Sequence, residues 1–414
     1  MSIETMVRRQ PAADLSPLDL LESCLSETVE SARERERSAF DQLARPYERS
    51  LVLFGAGALG RHTLAGLRNR GVEPRAFCDN GPHLWRQTVD GVKVYSPQDA
   101  IRKFGIDSTF VVTIWNGHGQ DRMSQRISQL TRLGCRRVVP VGLLFWKYAE
   151  TFLPYYPLDL PHKLLQRRDE VRTGFDYWED EASRREYAAQ VAFRLHLDYD
   201  SLGWPPDNAR YFPASQFRLT ANETLIDCGA FDGDTILGFT TDHGDRFQRI
   251  LAFEPDPMNW SKLQNTLRTL PPSIREKIAA FPYAVGATAG TVRFNATGTD
   301  LSAVGSGGLS VECVELDKML INETPTLIKF DIEGAELDAL KGGRTSIRRH
   351  SPILAVSAYH QQSHLWEVPM TIRSISDKYR YVLRPQSSEA WDLVCYAAPA
   401  DRLTDSDLIE GEVA

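Results

Sequence analysis

Leu225-Ile226-Asp227-Cys228-Gly229-Ala230-Phe231-Asp232-Gly233-Asp234-Thr235 reads as an apolar strand running straight into a glycine loop. The spacing is D-x-G-x-x-x-G, not the dinucleotide spacing G-x-G-x-x-G. Asp227, Asp232 and Asp234 crowd the turn, so a diphosphate is repelled there and a cofactor with cationic groups is favoured. Working outward, strands are expected at Thr224–Cys228, Arg249–Phe253, Ala279–Val285, Leu327–Asp331 and Ile353–Ser357. Tyr379–Arg384 and Asp392–Tyr396 read as a terminal antiparallel pair. In open α/β sheets ligands collect outside the carboxyl ends of the strands. The second strand here ends in Glu254-Pro255-Asp256, with Glu254 27 residues past Asp227. The third ends in Tyr283-Ala284-Val285-Gly286 and the fourth in Asp331-Ile332-Glu333-Gly334.

S-adenosylmethionine has the charge this loop favours: a sulfonium, an ammonium and no phosphate. Asp227 with the backbone at Gly229 and Gly233 is expected to hold its methionyl part, and Ala230, Asp232, Asp234 and Thr235 complete the loop. Glu254, followed by Pro255, is placed to accept from both ribose hydroxyls, and Tyr283 and Ala284 to border the adenine.

At this point the chain resembles the FkbM family of methyltransferases that use S-adenosylmethionine. The resemblance is carried by LIDCGAFDGDT (225–235), FEPDP (253–257), YAVG (283–286), VECVELDKML (311–320) and IKFDIEGAELDALKGG (328–343). Ser357-Ala358-Tyr359-His360 and Leu365-Trp366 fit its later segment. It implies a class I sheet of seven strands with the last antiparallel. It also implies methylation of a hydroxyl on a sugar, glycan or natural product.

Asp331, at the fourth strand end, is expected nearest the transferred methyl. Glu333 and His360 are candidates for the base or for orienting the acceptor. A simpler role for Asp331 and Glu333 is to cap the following helix. Lys329 shares a strand face with Asp331 and pairs naturally with a carboxylate. His364 would pair with His360 only on a helix, and no metal is assigned. Tyr211 and Phe212 suit either a lid over the cofactor or burial between domains.

Phe54-Gly55-Ala56-Gly57-Ala58-Leu59-Gly60 is a second, different loop, a GxGxxG between a strand and a helix, with Asp79 19 residues past Gly60. Gly55 permits the turn, Gly57 lets a phosphate approach, Gly60 lets helix and strand pack, and Asp79 can accept from a ribose. NAD, a nucleotide-sugar or no ligand fits this loop equally, since fold does not fix function. The chain is thus expected to hold two doubly wound Rossmann-like α/β domains. An N-terminal helical arm (1–49) precedes a nucleotide-binding domain (50–147). A helical connector (148–221) leads to the methyltransferase domain (222–400), and a polar tail (401–414) follows. Residues 16–44 read as one helix whose ARERERS run (32–38) is a solvated face. Thirteen of the 66 residues at 148–213 are aromatic, enough to wall a cleft or to pack a junction.

The 414 residues carry 48 basic and 55 acidic side chains, a balance that argues against nucleic acid as a general partner. The cysteines at 24, 78, 135, 228, 313 and 395 lack metal spacing and suit reduced thiols in a cytoplasmic protein. Val138–Trp146, the longest apolar stretch, is too short to span a bilayer. The expected partner is a small-molecule, sugar or glycan acceptor, and an oligomer is compatible with the composition. Two competing functions remain. One is an NAD-dependent oxidoreductase working through Gly55–Gly60. The other is a non-catalytic assembly protein that binds S-adenosylmethionine or a nucleotide-sugar without turnover.

Overall fold

The structure, a computed structural model, describes residues 15–116, 121–206, 211–297, 303–305 and 308–404. The chain divides into two compact units. The first comprises Met1–Val171, Arg185–Trp204 and Ser387–Trp391. The second comprises Arg172–Arg184, Pro205–Gln386 and Asp392–Ala414. The connector expected over 148–221 is therefore shared between the two units.

In the first unit the expected single helix is two, Pro17–Leu25 and Val29–Ala44. Thr28 breaks it: its backbone is extended and its hydroxyl accepts from Ser31 N–H, an N-cap. The charged run is not wholly solvated either. Glu36 is buried and accepts from the backbone N–H of His162 (2.7 Å), with the His162 ring Nδ1 at 2.8 Å.

Six strands follow: β1 (Leu51–Phe54), β2 (Ala76–Cys78), β3 (Thr88–Val89), β4 (Val92–Tyr95), β5 (Thr109–Val112) and β6 (Val138–Pro140). Their order is β3-β4-β2-β1-β5-β6, and every pairing is parallel except β3 with β4. β1, β2 and β5 are buried throughout, as strands covered on both faces must be. The β3–β4 hairpin was not expected. Its Asp90-Gly91 turn has φ +47° and +85°, the left-handed pair that a two-residue hairpin loop requires. Trp115, Phe145, Phe152, Phe193 and Tyr199 are buried in this unit's core, with Phe145 and Phe152 stacked at 4.4 Å.

The second unit holds a seven-stranded sheet and a smaller one. The large sheet contains β7 (Thr224–Cys228), β8 (Arg249–Phe253), β9 (Ile278–Phe281), β14 (Leu327–Phe330), β15 (Ile353–Ser357), β16 (Tyr379–Pro385) and β17 (Leu393–Pro399). Its order is β16-β17-β15-β14-β7-β8-β9, with β17 antiparallel to both neighbours. The order reverses between β7 and β14, so the crevice for a ligand opens at the ends of those strands.

The single strand expected over Ala279–Val285 is divided. Pro282-Tyr283 separates β9 from β10 (Ala284–Val285), which leaves the large sheet. β10 joins β11 (Gly290–Asn295), β12 (Ala303–Val304) and β13 (Leu309–Val314) in a four-stranded sheet. At the C-terminus the polar tail begins later than expected. Leu403 is buried, and Arg402 donates to Glu223 at 2.8 Å. Residues 405–414, like residues 1–14 of the expected arm, lie outside the described residues.

Candidate active site

The loop after β7 is built to approach the end of β14. Gly229 has φ +85°, and a Cβ there would lie 1.9 Å from the Asp331 carbonyl oxygen, so no side chain fits. Gly229 and Ala230 donate to the Phe253 carbonyl, 3.0 Å each. Gly233 turns left-handed at φ +92° and caps helix Asp234–His243, where Thr235 is buried and Asp234 exposed. Asp232 stays half-buried at the turn. Glu254 closes the loop from β8: its Oε2 accepts from Phe231 N–H (2.8 Å) and its Oε1 from Asp256 N–H (2.9 Å). Burial pushes the Glu254 carboxyl up to about 7, against these two bonds. Pro255 sits half-buried between Glu254 and Asp256, and Asp256 caps helix Pro257–Thr269.

Phe253, Phe281 and Tyr283 form a ladder of rings, with centroids 5.2 Å and 6.1 Å apart and planes within 23° and 18°. Tyr283 is partly exposed at its end. Ala284 does not share this surface as expected: its side chain packs with Phe294, Val311 and Cys313 in the core of the small sheet.

Lys329 stands between the two acidic strand ends. Its Nζ lies 3.2 Å from Asp227 Oδ1 and 3.7 Å from Asp331 Oδ2, and it donates to the Gly229 carbonyl at 2.8 Å. Asp227 and Lys329 are both buried, and burial pushes Asp227 up to about 6 although Lys329 opposes it. Asp331 accepts from Tyr211 OH on Oδ2 (2.9 Å) and from Ser357 Oγ on Oδ1 (2.7 Å). Burial works against its charge, yet Lys329, His360 and these hydroxyls hold its carboxyl below the ordinary range. Tyr211 is thus tied to the site, whereas Phe212 is core.

His360 is enclosed by carboxylates. Its Nε2 lies 3.3 Å from Glu333 Oε1 and 3.6 Å from Asp331 Oδ1, and its Nδ1 2.8 Å from Glu336 Oε1. Burial disfavours the imidazolium, but Glu333 and Glu336 outweigh it and raise His360 well above its usual range. Glu333 has its own carboxyl raised by burial and sits on a left-handed backbone, φ +52°. Asp331 and Glu333 do not cap the next helix: Ala335 holds that position, and the loop folds onto Glu336 instead. His364 opens helix His364–Ile375 and reaches Glu336 Oε2 at 3.2 Å. Among the described residues no group of three or more His, Cys, Asp or Glu side chains is arranged to hold a metal ion.

Sequence reasoning brought together Asp227, Asp331, Glu333 and His360. It missed Ser357 and Glu336 as contributors and gave Lys329 no part beyond pairing. Both missed residues lay inside stretches already singled out. Ser357 ends the strand next to β14, and Glu336 is the last acid of the DIEGAE run. The strand-end rule alone points to the first of them.

In the first unit, Gly55 has φ +119°, and a Cβ on Gly60 would lie 1.9 Å from the Gly55 carbonyl oxygen, so both are demanded by the chain itself. Gly57 differs: nothing lies within 4 Å of where its Cβ would be. Asp79 accepts from Ala56 N–H on Oδ2 (2.8 Å) and from Gly81 N–H on Oδ1 (2.7 Å).

No curated protein matches the chain. Among solved structures, methyltransferase FkbM from Methylobacillus flagellatus KT is similar over 92% of this chain and 100% of its own, with a TM-score of 0.72 and 22% identity. That likeness shows the fold. A precorrin-6y C5,15-methyltransferase from Geobacter metallireducens GS-15 is similar over 44% of this chain and 83% of its own, with a TM-score of 0.27 and 12% identity. The profile of the methyltransferase FkbM domain matches residues 227–383, from Asp227 of the glycine loop to the penultimate strand. This part of the chain is an FkbM methyltransferase domain.

Proposed function

We propose that this domain methylates a hydroxyl oxygen of a sugar, glycan or natural-product acceptor, with S-adenosylmethionine as donor. The donor set fits that cofactor. Asp227 and Glu254 lie buried at the ends of β7 and β8 that border the crevice, the nearby ammonium of Lys329 is taken by Asp227 and the Gly229 carbonyl, and the ring ladder ending at Tyr283 offers a face to adenine. Asp227 with the Gly229–Gly233 backbone would hold the methionyl end, and Glu254 the ribose. When bound, the cofactor supplies an electrophilic methyl on a sulfonium.

The observation that carries the choice of oxygen is Glu333. A hydroxyl must lose its proton as the methyl arrives, and a neutral amine need not. Asp331 is a poor base, with both oxygens engaged and its carboxyl held low. His360 is held toward its cationic form by Glu333 and Glu336. Glu333 is raised by burial and faces only His360 among the described contacts. It is the group to take the proton. Asp331, with Ser357 and Tyr211, orients the acceptor, which is chiefly a positional contribution.

For the first unit we infer a nucleotide or nucleotide-linked sugar at the Gly55–Gly60 loop. Neither backbone conformation nor packing requires glycine at 57, and the space beside it is what a phosphate needs. The six cysteines are all buried, which suits reduced thiols and supports a reducing compartment, the cytoplasm. No described helix is long and apolar enough to cross a membrane.

The test is calorimetric titration of the full chain with S-adenosylmethionine, S-adenosylhomocysteine, NAD and a UDP-sugar, followed by labelled methyl transfer to a panel of polyols and amines. Transfer to a hydroxyl, lost in Glu333→Gln with cofactor binding kept, is the expected result. NAD binding without S-adenosylmethionine binding overturns the reading in favour of an oxidoreductase. Cofactor binding with no transfer to any acceptor favours a non-catalytic assembly role.

A further inference from the structure

Glu336 lies outside the residues that address cofactor or acceptor, yet both members of the Glu333–His360 contact depend on it. Its Oε1 accepts from the backbone N–H of Ile332 (3.0 Å) and of Gly334 (3.3 Å), the two residues flanking Glu333. The same oxygen lies 2.8 Å from His360 Nδ1. Its Oε2 lies 3.2 Å from His364 Nδ1. The carboxylate is fully buried. Glu333 is held at φ +52°, a left-handed conformation that costs energy in a residue with a Cβ and persists where the surroundings impose it. The two N–H bonds to Glu336 impose this one.

We propose that Glu336 is a positioning residue for methyl transfer, fixing the Glu333 carboxylate and the His360 ring face to face from a single oxygen. The inference rests on the reading in which Glu333 takes the acceptor proton. It differs from a purely structural role, in which an acid at the start of helix Glu336–Gly342 merely steadies the turn. The charge of Glu336 acts as well as its hydrogen bonds. The charged and titratable groups around His360 are Glu333, Asp331 and Glu336 from the segment after β14, Tyr359 beside it (ring centroids 4.1 Å apart), and His364 beyond Glu336. Lys329 and Tyr211 contact Asp331. With Glu336 ionised, His360 stays protonated and in turn holds Glu333 as an anion ready to accept. Without that charge His360 releases its proton at lower pH, and Glu333 loses its cationic partner.

The test compares Glu336→Gln with the wild-type full chain, because a glutamine oxygen still accepts from Ile332 and Gly334. In ligand-free protein, long-range imidazole spectra from about pH 5 to about pH 10 follow His360, assigned with His360→Gln. The expected result is a His360 midpoint at least tenfold lower in proton affinity in Glu336→Gln, and partly restored in Glu336→Asp. In turnover, the alkaline limb of the kcat profile moves to lower pH while the cofactor Kd is unchanged. If Glu336→Gln does not fold, Glu336→Asp carries the test with a smaller shift in the same direction. A His360 midpoint unchanged by both substitutions, or a loss of activity with no movement of the limb, overturns the proposal. Absence of methyl transfer in the wild type defeats the functional reading instead, and the His360 midpoint still decides whether Glu336 governs that ring.

Discussion

Asp79 and Glu254 hold the same station in two different sheets. Each follows the strand beside the first of its series, and each accepts from the glycine loop with one oxygen and from the N–H two residues onward with the other. The residue before each acid accepts, through its carbonyl, from the loop glycine: Gly55 to Cys78 and Gly229 to Phe253. An acid here is thus first a clasp on the loop and only then a ribose ligand. Two clasps of one design imply separable consequences.

Glu254→Ala weakens S-adenosylmethionine binding by roughly ten- to a hundredfold, the loss of charge-assisted hydrogen bonds worth about 1.5–3 kcal/mol. Asp79→Ala leaves that affinity unchanged and lowers stability by about 1–3 kcal/mol, since two loop N–H groups lose their acceptor. Calorimetry and urea denaturation read the two effects. A large loss of cofactor affinity in Asp79→Ala would mean that the two loops serve one ligand.

Cofactor affinity depends on pH through Glu254. Burial raises its carboxyl to about 7 in the free protein, and ribose hydroxyls favour the anion. Binding therefore lowers that value and expels a proton. Affinity rises with pH up to about 7 and is flat above it. Titrations in two buffers of different ionisation enthalpy measure the released proton. Equal apparent enthalpies in both buffers near pH 6 would exclude the coupling.

The seven-stranded arrangement came with the family resemblance, and the strands of the large sheet that end in chemically distinct clusters, from Asp227 to Asp331, were readable in the sequence. The small sheet was not. Its strand β11 alternates little, with Phe294 its one buried residue, so periodicity gave no sign of it. Pro282 also interrupts what reads as one continuous run before Ala284. The β3–β4 hairpin is legible in Asp90-Gly91, a pair that suits a two-residue loop. The site followed a similar line. Acids at strand ends could be named from spacing, whereas Ser357 and Glu336 act by touching other side chains. Such contacts depend on which strands and loops become neighbours, and residue types alone do not carry that.

Ser357→Ala removes the donor to Asp331 Oδ1 and leaves the cofactor loop untouched. The expected loss in kcat is roughly tenfold, the worth of one hydrogen bond of about 1 kcal/mol or slightly more. Asp331 is then held less firmly below the ordinary range, so the acid limb of the kcat profile moves upward. An unchanged limb would show that Ser357 does not tune Asp331.

Gly57→Ala and Gly60→Ala separate ligand space from packing space. A methyl at 60 meets the Gly55 carbonyl and destabilises the first unit, whereas a methyl at 57 meets nothing. Gly57→Ala should cost about 0.5–1 kcal/mol, the preference of an N-cap for Gly over Ala. It should still abolish binding of a nucleotide-sugar, which titration of the variant measures. Undiminished binding would place the ligand elsewhere.

Lys329→Met tests the buried pair with Asp227. Removing one partner strands a carboxylate in the interior and costs about 3–5 kcal/mol. The pH dependence gives the sign. Burial has raised Asp227 to about 6, above its unfolded value near 3.8, so the folded state binds the extra proton between those values and stability falls as pH rises through them. Without Lys329 the carboxyl rises further, and the fall continues above pH 6. The stability gap between wild type and variant is therefore small near pH 5 and widens toward pH 8. Urea denaturation across that range measures it. A gap independent of pH would mean that Lys329 contributes by filling space rather than by its charge.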